Sequence, residues 1–169
     1  MGDLDKDILD DFLVESGKIL KELQTVVEDI EESGEIFPSE LLESFSQKID
    51  RIMGAADTLL MMDPNMLSLK TIGRIARICK SLGYTAAKCQ KKALIPIFAA
   101  FWAETLELLE QIMDAIQSPE ESKKIIDSSA PQVQKRLTWL SRQVQKILGS
   151  GATPQESVNV DELMKQFGK

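Results

Sequence analysis

Residues Ser39 to Met62 read SELLESFSQKIDRIMGAADTLLMM, and the spacing within this stretch decides the fold. Leu42, Phe45, Ile49, Ile52, Ala56 and Leu59 recur at steps of three and four, an unbroken apolar seam at helical period. A second stripe runs beside it at the same spacing: Glu43, Gln47, Asp50, Gly54, Asp57 and Met61. The solvated face of an ordinary bundle helix is built of Lys and Glu throughout. This stripe instead carries an acid–amide pair, a glycine and a lone Asp. Leu60, Met61 and Met62 then put apolar surface where such a helix normally turns polar. The second stripe therefore reads as a face that meets a partner protein.

The same periodicity continues on both sides. Upstream, a first helix is expected from about Leu4 to Glu32, capped by Asp3, with Asp5 and Asp7 at the positive end of its dipole. Its seam is Leu9, Phe12, Leu13, Ser16, Leu20, Leu23, Val27 and Ile30, and Ser33-Gly34 ends it. Pro38 and Ser39 start the second helix, which stops near Asp63-Pro64 because the residue before proline is pushed out of the helical region. A third helix, about Met66 to Lys88, buries Ile72, Ile75, Ala76, Cys79 and Leu82 and shows Lys70, Arg74 and Arg77 on another face. Lys91-Lys92 and Pro96 mark a break. The fourth helix then carries Phe98, Phe101, Trp102, Thr105, Leu108, Leu109, Ile112 and Ile116, with all three aromatics read as core. Ser118-Pro119 is another start signal, for a short helical piece over residues 119–129. Pro131, at a first-turn position, opens a last long helix with Val133, Leu137, Leu140, Val144 and Ile147 inward. Steps of three and four held through long helices with short connections give an all-α fold, an antiparallel four-helix bundle with one additional helix.

Composition narrows the chemistry. The chain has 169 residues and a net charge of -7, so neither nucleic acid nor an anionic membrane is an expected partner. Histidine is absent from the whole sequence. That excludes His-based acid–base catalysis, Ser-His triads, the usual zinc sites and phosphohistidine chemistry. Cys79 and Cys89 do not form a CxxC pair and suit a reducing compartment. The acidic start MGDLDKDILDD has no basic segment, and the longest apolar run, Ala93 to Ala103, is too short to span a bilayer. A cytoplasmic location is expected.

Composition changes after Leu148. Residues 149–157 read as a flexible linker that separates a bundle domain, residues 1–148, from a terminal peptide, residues 158–169. In that peptide Val160, Leu163, Met164 and Phe167 share one helical face. So short a helix is marginal alone in water, and it reads as a tethered segment that docks in another protein's groove.

Two resemblances meet here. The run Ala55-Ala56-Asp57-Thr58-Leu59-Leu60-Met61, preceded by Arg51, resembles the phosphorylation motif of histidine phosphotransfer (HPt) domains, which lies on the second long helix of a bundle. Residues 67–83 look like that family's following helix, and FLVESGKILKELQ like its first. Asp57 stands where the family has its histidine, Leu60 replaces a lysine and Met61 a glycine, so no phosphorelay of that type is possible. What the resemblance implies is the shape, a helix face against which receiver domains dock. In spacing, Val160, Asp161, Leu163, Met164 and Phe167 resemble the C-terminal peptide of CheZ chemotaxis phosphatases, which binds a CheY-like response regulator. Glu43 and Gln47, an acid four residues before an amide, are similar to the catalytic pair of the same family. By that resemblance the amide orients a water on the receiver's aspartyl phosphate. The chain needs no cofactor of its own, because the receiver supplies Mg²⁺.

The partner-binding set is therefore Asp50, Gly54, Asp57, Leu60, Met61, Lys70, Arg74 and Arg77 on the bundle, together with the peptide residues. Gln47 and Asp57 lie about 15 Å apart along the helix, so one phosphorylation site cannot be centred on both. The different-class alternative is a non-catalytic adaptor, or a bundle that forms a homodimer through Leu60 to Met62.

Overall fold

The computed structural model describes residues 4–149, and the chain is helical almost throughout them. The helices are α1 (Lys6–Glu31), α2 (Ser39–Met62), α3 (Leu67–Cys89), α4 (Ile95–Asp114) and α5 (Pro119–Leu148), with a 3₁₀ turn at Lys92–Leu94 leading into α4.

Local chemistry sets the ends. The cap of α1 is Asp5 rather than Asp3, which lies outside the described residues. The Asp5 carboxylate accepts a hydrogen bond from the Asp7 amide at 2.8 Å. Asp63 leaves the helical region and ends α2 as expected of a residue before proline. Gln90 closes α3 in the left-handed conformation, at φ 56°. Pro96 opens α4 from its first turn instead of marking a break.

One expectation fails at Pro131. The short piece over residues 119–129 and the last helix are a single helix, with Pro131 inside it. The apolar seam explains why: Ile126, Ala130, Val133 and Leu137 continue at steps of three and four straight through the proline and pack on the core. Pro131 itself sits on the exposed side. There the carbonyl that loses its amide donor can be hydrated, and core burial outweighs the local cost.

Packing follows from the seams. α1 packs on α2 and α4, α2 on α3, and α5 lies against α3 and α4, which also touch each other. α2 and α3 are antiparallel: Ser39, Ser46, Asp50 and Asp57 meet Ala87, Lys80, Lys80 and Arg77 in turn. α4 and α5 are antiparallel too, with Phe101 against Trp139 and Glu104 bonded to Arg136. The centre is aromatic. Phe45 of α2 stacks on Trp102 of α4 with ring centroids 3.8 Å apart and planes 3° from parallel, and Phe98 adds a tilted contact at 5.3 Å. All three rings are fully buried. Phe101 departs from the expectation of core, being only partly buried and edge-on to the half-exposed Trp139.

α2 and α3 approach each other closely at Gly83. A side chain at Gly83 would place its Cβ 2.0 Å from Ser46 Oγ and 3.1 Å from the Leu42 carbonyl, so only glycine fits there. Ser46, buried, donates to the Lys80 carbonyl at 2.7 Å across this contact. Among the described residues no helix is long and apolar enough to cross a membrane.

Candidate partner-binding face of helix α2

The seam of α2 is buried in full: Leu42, Phe45, Ile49, Ile52, Ala56 and Leu59 are all in the core. Helical geometry then fixes where the second stripe points. Glu43, Gln47 and Gly54 are exposed, and Asp50 and Asp57 lie half-buried at the edge facing α3. Glu43 and Gln47 make no side-chain hydrogen bond among the described residues. They stand one turn apart on the outer surface of a helix whose backbone is held against α3.

The two aspartates are already engaged. Asp57 accepts a hydrogen bond from Arg77 at 2.9 Å, and Asp50 one from Lys80 at 2.8 Å. The side chains of the first pair are each 41% exposed, and such pairs are worth about 0–1 kcal/mol. They fix the rotation of α2 against α3 more than they stabilise it. Gly73 makes room for the first of them, since a Cβ there would come within 3.0 Å of the Asp57 carboxylate. Of the basic row expected on α3, Arg77 is thus spent within the chain, whereas Lys70 and Arg74 make no ion pair among the described residues. Lys80, which no motif in the sequence singles out, does half of the holding.

The apolar end of the stripe divides. Leu60 is partly buried against the core, so it contributes little free surface. Met61 is 83% exposed and Met62 44%, and Leu67 joins them across the α2–α3 turn at 42%. Periodicity gave no warning of Leu67, which occupies the first position of α3 before its seam begins. Beside this cluster a groove of about 570 Å³ opens between the α2–α3 and α4–α5 turns, lined by Met66, Leu67, Ile116 and Pro119 among others. Thioethers so placed make an adaptable, polarisable surface.

Both thiols are buried. Burial pushes Cys79 up to about 12 and also raises Cys89, so neither is poised as a nucleophile. Among the described residues no cluster of three or more Cys, Asp and Glu side chains could hold a metal ion. Val160, Asp161, Leu163, Met164 and Phe167, with the linker from residue 150, lie outside the described residues. Compared with family models, curated proteins and solved structures, the chain matches none.

Proposed function

We propose that this chain binds a CheY-like receiver domain in chemotaxis-type two-component signalling, and that it accelerates loss of the receiver's phosphoryl group. In this reading α1 to α4 form a four-helix bundle of HPt-like shape, α5 is the additional helix, and the histidine of the family is gone. The protein works in the cytoplasm, where such receivers are. The C-terminal peptide tethers the receiver and raises its local concentration beside α2, so two weak contacts act together.

One observation carries the reading. The outer stripe of α2 is apolar and exposed at Met61, while about four and five turns away Gln47 and Glu43 stand open to solvent without partners in the bundle. Asp57 is held by Arg77 and has no such freedom. Of the two positions for the phosphorylation site, Gln47 is therefore favoured over Asp57. An amide placed in line with the acyl phosphate can orient a water without any shift of pKa, and the receiver's own Mg²⁺ carries the charge stabilisation. Glu43, one turn earlier, is suited to orienting the amide or a partner cation.

The test is to follow phosphate loss from a phosphorylated CheY-like receiver with and without the protein. A rate gain that Gln47→Ala abolishes, with binding retained, supports the catalytic reading. Binding with no rate gain reduces the protein to an adaptor.

A further inference from the structure

The net charge of -7 hides a division of charge by helix. α1 carries eight carboxylates against three lysines, and α4, packed on it, carries Glu104, Glu107, Glu110 and Asp114 with no Lys or Arg. α3 and α5, also neighbours, reverse the sign. α3 holds Lys70, Arg74, Arg77, Lys80 and Lys88 and no carboxylate. From Pro131 onward α5 holds Lys135, Arg136, Arg142 and Lys146, again with no carboxylate.

Some of these cations are used at the margins. α2 takes Arg77 and Lys80 through Asp57 and Asp50, and α4 takes Arg136 through Glu104. Between those margins Lys70, Arg74, Lys135, Arg142 and Lys146 make no ion pair among the described residues. Two aromatic side chains on these helices are exposed, Trp139 at 44% beside Lys135 and Arg142, and Tyr84 at 37% in the C-terminal half of α3. Trp139, Pro131, Lys135, Thr138 and Arg142 line a shallow hollow of about 380 Å³. The N-terminal ends of α3 and α5 line one groove, so the two helices run the same way. Tyr84 and Lys135 each lie about 25 Å from the start of their helix, which sets Tyr84 level with the α5 row, whereas Lys70 and Arg74 lie within about 10 Å of the start of α3, level with the first turns of α5 and their Glu120 and Glu121.

We infer that the C-terminal half of the α3–α5 face, built on Lys135, Arg142 and Lys146 with Trp139 and Tyr84, is a second docking surface, which seats an acidic flank of the partner protein. The inference rests on the receiver-binding reading and extends it from α2, across α3, to residues of α5 that no motif singled out. The occupant is a folded protein with clustered carboxylates rather than a long polyanion. A polyanion that overran this face would meet the acidic surface of α4 and the carboxylates of the first turns of α5, whereas a compact acidic patch seated on Lys135, Arg142 and Lys146 meets cations alone. Opposed charge speeds encounter and sets register, and Trp139 and Tyr84 supply apolar anchors within the patch.

The experiment measures association of a phosphorylated CheY-like receiver with the full chain at about 50 and 300 mM salt, conditions that change the screening length roughly two- to threefold. The proteins compared are the natural chain, Lys135→Glu/Arg142→Glu and Met61→Glu, with a short DNA duplex as a second probe. Both reversed charges are exposed, so the helical circular dichroism and melting transition should be unchanged. The expected result is an on-rate for the natural chain that falls about tenfold with salt, and a double variant that starts about tenfold slower with a flattened salt dependence. Duplex DNA should not bind. A double variant with the natural on-rate and salt dependence overturns the α3–α5 surface while leaving receiver binding intact. Failure of the natural chain to bind the receiver removes the underlying reading and this one with it. Tighter binding of duplex DNA than of receiver also overturns it.

Discussion

The α2–α3 seam and the α4–α5 seam join antiparallel helices by different means. Between α2 and α3 the backbones nearly touch, with Gly83 over Ser46, a buried serine-to-carbonyl bond and two cross-helix ion pairs. Between α4 and α5 the ring contact and the ion pair, Phe101 on Trp139 and Arg136 with Glu104, lie at a partly exposed margin, while Val133, Leu137 and Leu140 of α5 are buried in the core. Close packing without side-chain slack leaves a helix little freedom to slide or rotate. The first seam therefore holds the outer stripe of α2 in a fixed orientation, as a platform for docking needs.

Substitutions can break or sharpen that contrast. The largest loss belongs to Trp102, which joins the α2 side of the core to the α4 side through its stack on Phe45. Trp102→Ala should cost about 3–5 kcal/mol in urea unfolding and loosen both seams. Gly83→Ala should cost about 1–3 kcal/mol, because its methyl group would overlap Ser46 and crowd the Leu42 carbonyl. Gly54→Ala is the control on the same helix pair. Nothing lies within 4 Å of its added carbon, and helix propensity should make it neutral or stabilising by up to about 1 kcal/mol. Equal losses at the two glycines would contradict the close approach.

Alkaline pH probes the buried side of α3. Cys79 ionises at about 12 in the folded chain against an ordinary 9.0, so above pH 9 the unfolded chain gives up a proton that the folded chain keeps. Stability is unaffected by this group below pH 9. It should decline between pH 9 and 12 by about 1.4 kcal/mol per pH unit. Urea midpoints at pH 8 and pH 10.5, compared with a Cys79→Ala chain, isolate the contribution of this group. The smallest effects are at the ion pairs, where Asp57→Ala and Glu104→Ala should each shift stability by less than about 1 kcal/mol. Asp57→Ala should nevertheless alter partner affinity, because it frees Arg77 at the edge of the face.

Much of this was legible in the chain. Leu42 to Leu59 declared the seam of α2, and every residue of it is buried. The stops at Asp63-Pro64 and the start at Ser118-Pro119 follow from local backbone chemistry, which needs no tertiary information. Pro131 misled because proline's local preference is visible in sequence, whereas the burial of Ile126 and Ala130 that overrides it depends on α5 lying against α3 and α4. The face on α2 was legible as a stripe but not as a set of partners. Spacing placed Asp50 and Asp57 on it, and only the antiparallel register with α3 assigns them to Lys80 and Arg77. The basic surface of α5 is not legible in sequence, because charges summed over a chain conceal which helices become neighbours. Leu67 and Trp139 are exposed for a similar reason, since each precedes or flanks a seam whose orientation the neighbouring helices fix.

The most direct measurement is titration of a phosphorylated CheY-like receiver, by calorimetry, with the natural chain and with Met61→Glu. If the outer stripe of α2 is the docking face, the natural chain binds and a charge at its most exposed methionine weakens affinity by about tenfold or more, with the melting transition unchanged. The same affinity in both chains, or no binding to either, would contradict it.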